Sequence, residues 1–166
     1  MGCVNLPSGE IVEENLDLGS IDMEGLLKKL VDISFTGYIV NTIFGYAGVE
    51  EGALLFKKGE LAGSFFEYAN FGIVVFGNDA VAQVFNSLVA PRGVVDIVAL
   101  SGQQVDLVVA FNDRLKVMVR FKKSELLGLI RKQYVSSFAQ RTLSGVISEN
   151  ESRKTVLKKF GLSELG

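Results

Sequence analysis

The 166-residue chain is 48% apolar, has a net charge of −2 and a positive mean hydropathy, which excludes a disordered chain and supplies enough apolar surface for a sizeable core. It has no histidine and a single cysteine, Cys3; this excludes an internal disulfide, the usual catalytic triads and most zinc or copper sites. No apolar run reaches the ~20 residues of a membrane-crossing helix, and no basic, apolar leader precedes Leu6-Pro7-Ser8-Gly9.

The expected organisation is one cytoplasmic α/β domain over residues 1–147, followed by a linker and a short amphipathic tail over 148–166. Met1-Gly2-Cys3-Val4 resembles a lipidation signal, but Leu6 stands where that pattern requires Ser or Thr. Glu10 to Leu18 alternates loosely and reads as an edge strand, with Glu13 and Glu14 discouraging edge-to-edge pairing. Ser20 or Asp22 then caps a helix to about Val31, with Leu26, Leu27, Leu30 and Val31 on its apolar face.

Phe35 to Ala69 reads as a three-stranded meander. Its first reversal falls in Gly45–Glu50, and its second at Lys57-Lys58-Gly59-Glu60, where glycine suits a tight hairpin. Ile39 and Ile43 face one way and Tyr38, Val40 and Phe44 the other; residues 52–57 alternate with the same greasiness on both sides. Such a sheet needs helices, or a second subunit, over both faces. The glycines of the first loop lack the Gly-Lys-Ser/Thr and the following helix of a phosphate-binding loop. The pairs Glu13-Glu14 and Glu50-Glu51 read as solvated strand edges, since adjacent residues point to opposite faces.

After a break at Asn70-Phe71-Gly72, a helix begins at Asn78, carries Ala80, Val81, Val84, Phe85 and Leu88 at helical spacing, and stops before Pro91. Val94 to Leu100 reads as an interior strand. Asp96 within it, if buried, needs an arginine or backbone amides as partner. Residues 101–111 admit two readings: a helix opened by the Ser101/Gln104 capping box, or a strand with Val105, Leu107, Val109 and Phe111 on one side. Leu115–Phe121 alternates as a half-exposed strand with Lys116, Met118 and Arg120 outward. Ser124 then caps one long helix to about Ile147, with Leu127, Ile130, Tyr134 and Phe138 as its buried stripe. The whole predicts an α+β fold: a central, mainly antiparallel sheet with a three-stranded meander, flanked by about four helices.

Charge is segregated along the chain. Residues 1–60 hold ten acids against four bases, whereas 114–141 hold eight bases against Glu125 alone. Arg114, Lys116, Arg120, Lys122, Lys123, Arg131 and Lys132 are therefore the candidate partner- or anion-binding residues. Two readings stand: one cationic patch, or a solvated face spread over two sides. Aromatic residues of the kind that stack bases are missing from the wet positions.

The order helix, Phe35-x-Gly37-Tyr38-Ile39, a glycine-rich loop, Gly52-x-Leu-Leu-Phe-x-x-Gly59-x-x-x-Gly63, then Gly77-x-x-Ala80 resembles an archaeal family of uncharacterised domains. It is similar, more distantly, to the PATAN module that accompanies bacterial response regulators. Leu6-Pro7-Ser8-Gly9 and the closing Lys158-Lys159-Phe160-Gly161-Leu162 fit the archaeal family too. The resemblance implies a non-catalytic domain for protein–protein contact in signalling or regulation, with no catalytic, cofactor or metal residues. A protein partner and a homodimer are expected, nucleic acid less so, and no membrane association. The alternative is an anion- or nucleic-acid-binding protein using the basic region 114–141.

Overall fold

Two tight hairpins build the centre of the sheet. The computed structural model describes residues 4–145. Strand β2 (Gly37–Gly45) pairs antiparallel with β3 (Gly48–Lys57), and β3 with β4 (Glu60–Tyr68). The first reversal is tighter than expected: Gly45 pairs with Gly48, so only Tyr46 and Ala47 form the turn, and Glu50 and Glu51 lie inside the strand. In the second, Lys58 and Gly59 both take positive φ, 52° and 79°, as a type I′ hairpin requires.

The edge strand β1 (Glu10–Asp17) and the interior strand β6 (Gly93–Ala99) form as expected. A short strand that the sequence reading omits, β5 (Ile73–Phe76), lies between Gly72 and Gly77, both at positive φ. The six strands run in the order β1-β6-β2-β3-β4-β5 and every pair is antiparallel. Asp96 is half-buried and takes a backbone amide, one of the two kinds of partner expected for it if buried. Its Oδ1 accepts from the amide of Asn15 at 2.7 Å, where β1 is bulged and Asn15 has a φ of 54°.

Helices cover both faces. Helix α2 (Asn78–Ser87) packs on the side of Asn41, Gly52 and Tyr68, with Ala80, Val81, Val84 and Phe85 buried. Helix α3 (Gly102–Phe111) packs on the other, where Val105 joins Tyr38, Leu55 and Val98. Residues 101–111 are thus helical, and the capping box decides it: Gln104 N–H donates to Ser101 Oγ at 3.1 Å, and Ser101 N–H to Gln104 Oε1 at 2.9 Å. Helix α1 (Met23–Asp32) is capped by Asp22 and buries Met23, Leu27 and Leu30. The α+β architecture, with its meander and antiparallel sheet, is the one the sequence leads to.

Two further expectations fail. Residues 115–121 are not a strand: after a 3-10 turn at Asp113–Leu115 they make a single bridge, Lys116 to Gly63, and Val117 N–H donates to Ala62 O at 3.0 Å. The flank of β4 beyond that point is already taken by β5, and Met118 N–H goes to Asn78 Oδ1 at 2.8 Å. Nor is there one helix over 124–147. Helix α4 (Lys123–Leu127) stops at Gly128, residues 128–136 are not helical, and helix resumes over 137–145. Gly128, Ile130, Tyr134 and Val135 are weak helix formers, and Tyr134 is held elsewhere: its oxygen accepts from Tyr46 N–H at 3.0 Å.

The chain divides into two units, one reaching Tyr134 and one beginning at Val135. In the second, the Arg141 guanidinium lies 5.3 Å from the Phe138 ring centroid. Cys3, the tail and the expected boundary at 147–148 lie outside the described residues.

Candidate functional site

The first unit contains a groove between α3, the β3–β4 hairpin and residues 116–120. Its volume is about 770 Å³. Leu61, Val105, Val109 and Val117 supply an apolar floor, because α3 crosses β4 beside the one segment that bridges to it. Met118 and Val119 stand on the wall, 68% and 48% exposed.

Cations rim this floor. Lys57 Nζ contacts both oxygens of Asp106 at 2.8 Å, which ties the hairpin to α3 and neutralises that pair. Lys58, Lys116 and Arg120 also line the groove, and among the described residues no carboxylate pairs with them. Glu60 is the remaining acid of the lining. An apolar trough with unpaired cations on its rim suits a ligand that is apolar and acidic together.

The other candidate cations are dispersed. The Arg114 guanidinium sits 4.3 Å over the Phe76 ring. Lys122 N–H donates to Glu125 Oε2 at 3.2 Å as the cap of α4, and Lys123 pairs with Asp32 of α1. Arg131 lines a separate cleft of about 260 Å³ with Asp22 and Met23, and Lys132 is exposed in a bend. Of the seven candidates, Lys116 and Arg120 therefore share one groove. Sequence reasoning missed Lys57 and Lys58, which it took for hairpin residues. Only the packing of α3 against that hairpin reveals them.

A second cleft, about 660 Å³, opens between residues 4–7 and α3. Leu107, Phe111 and Leu6 are among its lining and none of the lining residues is charged, so it gathers none of the candidate cations. Among the described residues there is no cluster of three or more His, Cys, Asp or Glu able to hold a metal, and no helix long and apolar enough to cross a membrane.

A carboxyl lies buried on the opposite face of the sheet. Glu50 is 1% exposed, contrary to the expected solvated edge. Its Oε2 accepts from the Tyr134 hydroxyl at 3.4 Å, and its Oε1 has no hydrogen-bond partner among the described residues. Burial pushes its pKa up, against the smaller opposing pull of Tyr134 and of the Ala47 backbone. Gly45 makes the room: a Cβ there would meet Oε2 at 1.6 Å and the Tyr134 hydroxyl at 2.9 Å. Nearby, Asn41 Nδ2 donates to Ser87 Oγ at 2.8 Å, and the Tyr68 hydroxyl donates to Gln83 Oε1. These buried bonds fasten α2 to the sheet.

A family model described as an uncharacterized protein conserved in archaea (DUF2226) matches residues 4–112, a span that runs from the first described residue to the end of α3. No curated protein and no solved structure matches the chain.

Proposed function

We propose that this chain, which belongs to the archaeal DUF2226 family, is a non-catalytic, intracellular protein–protein interaction module with a regulatory or scaffolding role. Its contact surface is the groove between α3 and residues 116–120. The observation that carries this reading is the combination of exposed Met118 and Val119 with Lys58, Lys116 and Arg120, with which no carboxylate pairs among the described residues, around one apolar floor. Covering such side chains is favourable by roughly 1.5–3 kcal/mol for each large apolar group fully buried, while rim cations select the partner by charge. The finer expectation of a signalling role rests on the distant PATAN likeness in the glycine and apolar positions, and on no polar residue of the groove.

A photo-crosslinking residue at Val119, introduced in native cells, is expected to capture a discrete protein, and Lys116→Glu with Arg120→Glu to reduce that yield at least tenfold. Equal yield in the charge-reversed chain contradicts the assignment. The second reading, an anion or nucleic-acid binder, is favoured by the same three cations. Against it, no aromatic side chain among the described residues lines the groove for stacking. Binding of single-stranded nucleic acid that falls steeply with salt would support it.

A further inference from the structure

We infer that the groove's partner is a second copy of this chain, entering through its strand β1; this rests on the reading of the groove as a docking surface. The two flanks of the sheet carry opposite chemistry. Strand β1 forms one edge, with no strand on its outer side among the described residues. It holds Glu10, Glu13, Glu14 and Asp17 and no base. All its residues are exposed except Leu16, including Ile11 at 59% and Val12 at 46%. An acidic strand that also presents bare apolar side chains is the ligand the groove at the other flank of the sheet is built for.

Edge protection accounts for the acids of β1, since charge discourages pairing of strand edges. It does not account for the exposed Ile11 and Val12, nor for Lys58 in the β3–β4 turn and Lys116 and Arg120 in the segment that bridges to β4. Charge also decides the geometry. Two β1 strands laid together set four acids against four acids, and two grooves laid together set cations against cations; both contacts are repulsive. The contact left is head to tail, β1 of one copy in the groove of the next, with β1 still paired to β6 of its own sheet. Because the two surfaces lie on opposite flanks, each copy can use both at once, and association runs to a ring or an open chain.

Sedimentation velocity on the full chain tests this at about 50 mM and about 500 mM salt, since exposed charge pairs weaken with ionic strength. The wild-type protein is expected to sediment as assemblies larger than one chain at low salt and to dissociate at high salt. Glu13→Lys with Glu14→Lys, and separately Lys116→Glu with Arg120→Glu, should each weaken self-association at least tenfold. An equimolar mixture of the two variants should reassemble, because each reversed surface then meets its complement. All four positions are exposed, and circular dichroism verifies that both variants keep the fold. A wild-type chain that remains monomeric at low salt, or a mixture that stays monomeric while the wild type assembles, overturns the inference. A labelled peptide of residues 9–18 separates the two readings. If it binds the groove and loses binding on Lys116→Glu and Arg120→Glu while the chain stays monomeric, the docking surface stands and self-association falls. If neither the peptide nor a crosslinked protein is captured there, both fall.

Discussion

Gly37→Ala is expected to cost roughly 3–5 kcal/mol, the sum of backbone strain and overpacking in a sheet that cannot shift, and so to bring a domain of ordinary stability close to unfolding. Gly37 has a φ of 150°, and in the sheet it faces Phe56 of β3 on one side and Ala99 of β6 on the other. A Cβ there would sit 2.1 Å from the Val98 carbonyl oxygen, 2.8 Å from the Phe35 ring and 2.9 Å from the Ala99 Cα. Two of those three neighbours are backbone in the adjacent strand, so relief requires separating β2 from β6. Gly72→Ala is the control: its φ is 61°, yet nothing lies within 4 Å of the added carbon, so only the conformational cost of about 1 kcal/mol applies. Urea titration of the two variants measures the contrast; equal midpoints would remove the steric argument.

Glu50→Gln is expected to stabilise the protein at pH 7 by about 1–2 kcal/mol, by removing a buried charge whose second oxygen is unpaired. The sign follows from proton linkage. Burial raises the Glu50 pKa above its ordinary value, so in that interval the folded chain binds more protons than the unfolded one. Stability is then greatest below the ordinary glutamate range and is lost as pH rises through the raised value. Glutamine keeps an acceptor for the Tyr134 hydroxyl and has no such loss. Glu51, raised by its own burial and by Glu67 across the strand pair, contributes a slope of the same sign. The variant should therefore flatten the pH dependence without abolishing it. Denaturant midpoints from pH 4 to pH 8 measure this, and parallel curves for the two chains would contradict it.

The meander was legible because the signals for it are local: alternating apolar residues, glycine at both reversals, and strands joined by short loops, although the first turn is shorter than the sequence reading made it. The Asp22 cap of α1, the start of α2 at Asn78 and the β-branched run of β6 were legible for the same reason. Residues 115–121 carry a genuine strand pattern, and Leu115 and Val117 do turn inward. What that pattern lacks is a free partner, a fact decided by β5 and Asn78 some 40 positions earlier. Glu50 looked like a wet acid beside a turn because its burial depends on Tyr134, 84 positions downstream. Of the groove, the basic run pointed to Lys116 and Arg120. Lys58 joins them only once α3 has folded over the hairpin.

The placement of β6 between β1 and β2 has a temporal consequence. β2, β3 and β4 close through short loops, whereas the Asn15–Asp96 bond that seats β1 spans 81 positions. Long closures carry the larger entropic cost and come late, so the acidic margin is the last piece to attach and the first to fray. Its amide protons should trade with deuterated solvent while those of the meander are still protected.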